Sequence, residues 1–83
     1  MSMKDKLITT QLGKNVRELR LKAKLTQEQL AELTQIHAVY MSNIENGLRN
    51  ITVIKAFKIS QALNVDVSDL FKGIPRNPKN TSK

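Results

Sequence analysis

The chain has 83 residues, carries 14 Lys and Arg against 7 Asp and Glu for a formal net charge of +7, and contains no cysteine. That length fits one domain with a limited core, and the missing cysteine excludes disulfides, thiolate chemistry and cysteine-ligated zinc. The positive charge favours a polyanion, either nucleic acid or an anionic membrane, or else a solvated lysine surface.

No apolar run approaches the ~18–20 residues of a membrane span. The start, Met1-Ser2-Met3-Lys4-Asp5-Lys6, lacks the apolar core of a signal peptide. The expected location is therefore the cytoplasm, with no membrane partner.

Residues 1–8 read as an N-terminal extension. A first helix is predicted from Thr9 or Thr10 to Ala23, because Leu12, Val16 and Leu19 recur at i, i+4, i+7 on one face. Gly13 is unusual inside it and is read as a point of close helix packing. Thr26 with Gln29 three residues later has the spacing of a capping box and opens a short helix, Gln27 to Leu33, with Leu30 and Ala31 inward. A third helix is predicted from about Ala38 to Asn46, with Met41 and Ile44 inward and Gly47 as a left-handed stop.

Thr52 caps a predicted fourth helix, Val53 to Leu63, with Val53, Ala56, Ile59, Ser60 and Leu63 on its inner face. Ser68 is expected to cap a fifth short helix, with Asp69 favourable to its dipole. Residues 9–73 form the expected folded domain. Residues 74–83, with Pro75 and Pro78, read as a disordered basic tail.

Two short helices joined by a tight turn, held by flanking helices, have the geometry of a helix-turn-helix. The second must enter the DNA major groove, with apolar residues inward and small or polar ones outward. The stretch 38–46 fits: Met41 and Ile44 anchor it, and Ala38, Val39, Ser42 and Asn43 project away.

The residues Leu12-Gly13-Lys14-Asn15-Val16-Arg17-Glu18-Leu19-Arg20, then Leu25-Thr26-Gln27-Glu28-Gln29-Leu30-Ala31, resemble the opening of the Cro/C1-type (Xre-family) helix-turn-helix. Tyr40-Met41-Ser42-Asn43-Ile44-Glu45-Asn46-Gly47 resembles its recognition helix and stop. Ala62-Leu63-Asn64-Val65 and Asp69-Leu70-Phe71 resemble its closing helices. The match spans about Thr10 to Gly73. Within the family, Gly47-Leu48-Arg49-Asn50-Ile51-Thr52-Val53, with Tyr40 and Ser42, is similar to controller proteins of restriction-modification systems.

The resemblance implies an all-α, five-helix, lambda-repressor-like domain. It also implies a homodimeric transcriptional regulator on a palindromic double-stranded DNA operator, with RNA polymerase a candidate further partner. Ala38, Val39 and Asn43 would face base edges, since Asn pairs with adenine and Ala or Val touches a thymine methyl. Controller proteins commonly carry Arg and Thr where Ala38 and Val39 stand, so a different operator is expected, A·T-rich or read through DNA shape.

Gln27, His37, Tyr40, Ser42, Asn46 and Arg49 would contact phosphates. Several have plainer alternatives: Gln27 as an ordinary first-turn residue, His37 as an exposed turn histidine and a poor cap, Asn46 as a helix C-cap. Arg49 has the alternative of pointing into a groove. Arg20 and Glu45 would form a structural ion pair. Ile54, Val65, Val67, Leu70, Phe71 and Ile74 would form the dimer interface or close the monomer core, Leu70 above all the latter.

No enzyme, metal or cofactor is expected: there is one His, no Gly-rich phosphate loop and no paired carboxylates in a pocket. Asp66 and Asp69 are explained by capping, and Ser42 with His37 lacks an orienting acid. The remaining alternative is an antitoxin or other interaction module on the same fold, which would autoregulate its operon through a protein partner. The ten residues after Gly73 are short and polar for wrapping a toxin.

Overall fold

The computed structural model describes residues 2–74; the expected tail beyond Ile74 lies outside the described residues. Four α-helices follow in order: α1 Met3–Lys22, α2 Gln27–Thr34, α3 Ala38–Glu45 and α4 Val53–Leu63. A 3-10 helix, Val67–Phe71, closes the domain, and no strand occurs among the described residues.

The helix ends share one local device. Lys24, Gln35, Gly47 and Asn64 adopt left-handed backbone, with φ of 60, 59, 75 and 56°. The residue after each is apolar, and its N–H donates back five residues: Leu25 to Arg20, Ile36 to Ala31, Leu48 to Asn43 and Val65 to Ser60. These are Schellman-type closures, which satisfy orphan carbonyls and turn an apolar side chain back onto the helix. Only the third uses glycine. There a Cβ would also lie 2.9 Å from the Thr10 Cα, so space as well as φ excludes a side chain.

The helix starts are equally local. Thr26 and Gln29 exchange both bonds of the expected capping box, at 2.8 and 3.0 Å. Thr52 accepts from the Lys55 N–H at 3.1 Å.

Three expectations need correction. The first helix begins at Met3, not at Thr9 or Thr10. Ser2 caps it by accepting from the Asp5 N–H at 3.1 Å, so residues read as an extension are helical. Val53 does not face inward but is 84 % exposed, because at the first turn of α4 the stripe it continues is left uncovered among the described residues. The fifth element is 3-10 rather than α, and its cap is Asp66 in a box with Asp69, not Ser68. Its last carbonyls are taken by a side chain: the Asn15 amide donates to Leu70 at 2.8 Å and to Lys72 at 2.7 Å. A connector of five residues is of the length at which 3-10 geometry is common.

The core comprises Leu12 and Val16 of α1, Leu30 and Ala31 of α2, Ile36, Met41 and Ile44 around α3, Ala56, Ile59 and Leu63 of α4, and Leu70. Leu70 is fully buried, so it closes the monomer core and presents no surface to a partner. Gly13 does mark close packing: a Cβ there would lie 2.6 Å from the Glu45 carbonyl oxygen and nearer still to that of Ile44. Bare backbone lets α1 lie against the C-terminal end of α3.

Candidate nucleic-acid interface

α2 and α3 are joined by the turn Gln35-Ile36-His37, and Ile36 pins that turn into the core. Three residues of α3 are buried: Met41, Ile44 and Glu45. Two are the apolar anchors expected from spacing. The third is a carboxylate, and its burial requires donors.

Arg20 supplies two of them, donating from Nε to Glu45 Oε2 at 2.7 Å and from Nη2 to Oε1 at 2.9 Å. Its Nη1 donates to the Leu25 carbonyl at 2.9 Å, which ties the α1–α2 turn to the same group. The Glu45 hydrogen bonds hold the Arg20 pKa above its ordinary value. Gln27 supplies the third donor, from Nε2 to Glu45 Oε1 at 2.9 Å. One buried carboxylate on α3 is thus gripped from α1 and from the first residue of α2. A buried pair of this kind contributes little net energy over an apolar substitute, but it specifies orientation.

The outward face of α3 carries the residues expected there. Val39 is 63 % exposed, while Ala38, Ser42 and Asn43 are partly exposed. Val39 is thus a large apolar side chain left mostly open among the described residues. His37 does serve as the N-cap, its Nδ1 accepting from the Val39 N–H at 3.3 Å. That is a long bond, consistent with imidazole being a poor cap. Asn46 occupies the C-cap position and is exposed.

Tyr40 has a role that spacing did not reveal. Its half-buried ring lies 5.0 Å from the Arg49 guanidinium carbon and 4.9 Å from the Lys55 ammonium, measured to the ring centroid. Arg49 comes from the loop after α3 and Lys55 from the first turn of α4. Lys55 was not among the expected site residues, since nothing in the sequence around it distinguishes it from a solvated lysine.

Charge is distributed to match. Glu45 is the only carboxylate between residues 33 and 65, and Arg20 neutralises it. The outward side of α3 and the loop after it therefore carry no free acid; beside the exposed Val39 and Leu48 they present Arg49, amides and hydroxyls. Among the described residues no helix is long and apolar enough to cross a membrane.

Of the expected interface residues, Ile54 is 69 % and Phe71 44 % exposed, while Val65, Val67 and Ile74 are half-buried. Val53 and Phe57 join Ile54, with Lys58, in lining an open apolar hollow on α4. Phe57 was missed because the helical stripe 56, 59, 60, 63 already accounts for the core face.

A helix-turn-helix family model (HTH_3) matches residues 16–70. Control protein C.BamHI of Bacillus amyloliquefaciens is 44 % identical over 59 residues, covering 70 % of this chain and 73 % of the relative. Control protein C.MunI of a Mycoplasma species is 36 % identical over 70 residues, covering 83 % and 95 %. The crystal structure of the restriction-modification controller protein C.AhdI from Aeromonas hydrophila superposes with a TM-score of 0.74 at 33 % identity, over 76 % of this chain and 96 % of that one.

Proposed function

The chain belongs to the helix-turn-helix family and is a DNA-binding transcriptional regulator; from that premise we propose that it acts as a homodimer on a two-fold symmetric operator, as the controller of a restriction-modification system. The observation that carries the reading is α3 itself, an acid-free outward face on a helix whose one carboxylate is locked inward by Arg20 and Gln27.

In this proposal Ala38, Val39 and Asn43 meet base edges. Asn43 pairs with an adenine, and Val39 with Ala38 covers thymine methyls. Gln27, His37, Tyr40, Ser42, Asn46 and Arg49 surround them at phosphates. The Gln27 side chain is already engaged, so its phosphate contact runs through its backbone amide at the α2 N-terminus.

One such helix reads only a few base pairs, and two copies would read half-sites about 34 Å apart. The surface that would pair them is Ile54, Val65, Val67, Phe71 and Ile74, to which Val53 and Phe57 are added by their exposure. The controller role is supported by likeness to relatives so named. RNA polymerase would then be the further partner, activated or blocked according to operator position.

The test is a gel-shift series with genomic fragments that include the chain's own promoter, together with inspection of the neighbouring genes. Selective retardation of the promoter fragment and an adjacent endonuclease and methyltransferase are expected. No sequence-selective retardation at low salt would refute the operator reading.

A further inference from the structure

Lys55 occupies a place that local energetics disfavour. It is the third residue of α4, where the positive end of the helix dipole repels a cation. No acid stands in that first turn to compensate, and none occurs anywhere between residues 46 and 65. Among the described residues the ion pairs are Arg20–Glu45 and Lys72–Asp69, so neither Lys55 nor Arg49 is neutralised. Yet both are drawn to one point, the Tyr40 ring, at 4.9 and 5.0 Å from its centroid.

Two unpaired cations held within about 10 Å of each other repel, and the fold maintains them there. Natural proteins break such local rules at functional sites. A polyanion with closely spaced charges relieves the repulsion, and the DNA backbone, with one charge per ~1.7 Å of helix axis, is such a partner.

We infer that Lys55 is a DNA phosphate contact paired with Arg49, and that Tyr40 acts as the platform that presents both cations. The inference rests on the regulator reading above and adds a residue from α4 to it. Tyr40 is a positioning residue here: its ring, anchored by partial burial against the core, links the recognition helix to the loop and to α4. Its π face attracts both cations while leaving their donors free for phosphate oxygens.

The test is a salt titration of the full chain on a random-sequence DNA duplex, because phosphate contacts are independent of sequence. Lys55→Gln should lower the slope of log affinity against log salt by about 0.9 per bound protomer, the loss of one phosphate contact. Lys55→Arg should restore it. Tyr40→Leu, which removes the ring, should lower it at least as far as Lys55→Gln.

An unchanged slope in Lys55→Gln overturns the inference and leaves the regulator reading standing. Failure of the wild type to bind any duplex overturns both. Since Tyr40→Leu also removes packing, proton shifts provide a second measurement. The Lys55 methylenes should be ring-shifted upfield in the wild type and in Tyr40→Phe; ordinary shifts in both would overturn the platform role.

Discussion

Arg20 and Glu45 stand 25 residues apart in the chain and share two hydrogen bonds across the contact of α1 with α3. Their side chains are almost fully withdrawn from solvent. The pair therefore does two things at once: it holds the only carboxylate of α3 inward and fixes the orientation of the helix proposed to enter the groove. Glu45→Ala leaves Arg20 buried and uncompensated, and should cost about 3–5 kcal/mol in denaturant unfolding. A cost below 1 kcal/mol would show that the pair does not brace α3. Replacing both residues by Met should recover much of the loss.

Gly13→Ala tests the α1–α3 contact without touching any polar group. Alanine gains about 1 kcal/mol in helix propensity. Its Cβ, however, would meet the backbone carbonyls of Ile44 and Glu45, which no rotamer change can relieve. A net destabilisation of about 1–3 kcal/mol is expected from the overpacking, with weaker DNA binding as α3 is pushed out of register. Thermal melts that show Gly13→Ala to be stabilised would contradict the close approach.

His37→Asp separates stability from binding. Aspartate is a far better N-cap than imidazole for α3 and should stabilise the fold by up to about 1 kcal/mol. The same substitution puts a carboxylate at the edge of the proposed DNA face, so duplex affinity should fall. Tighter binding by His37→Asp would remove His37 from the phosphate contacts.

Asn43→Ala should lose about 1–3 kcal/mol of discrimination at one base pair while leaving non-specific binding almost unchanged. A uniform loss across all sequences would instead place Asn43 at the backbone.

Ile54→Glu and Phe57→Glu put charge into the apolar hollow on α4 without disturbing the core, since both side chains are more than half exposed. Sedimentation equilibrium should find the wild type at twice the chain mass and both variants shifted toward monomer, with helix content retained. A wild type that is monomeric at high concentration would defeat the homodimer proposal.

Local chemistry was legible in the residues alone. The Thr26–Gln29 box, the Thr52 cap, the glycine stop at 47 and the inward Met41 and Ile44 depend only on neighbours within a turn, and they appear as the spacing predicted. The Arg20–Glu45 pair was legible by resemblance, not by spacing. The early start of α1 was also written locally, in Ser2 and Asp5, but was hidden by reading the first residues as an extension.

What only the tertiary structure decided is which side chains meet across elements. Asn15 reaches carbonyls 55 and 57 residues away, at the end of the 3-10 helix. Gln27 reaches Glu45 across 18 residues and becomes a brace rather than a free first-turn amide. Tyr40 collects Arg49 and Lys55 on one ring, and Val53 continues an inward stripe yet faces outward. The reason is physical. Helix caps and faces follow from short-range hydrogen bonding and a 3.6-residue period, whereas burial and pairing depend on where another helix happens to lie. The sequence by itself determined that this is a small, basic, helix-turn-helix chain; the packing decided which of its polar groups hold α3 in place and which it leaves exposed.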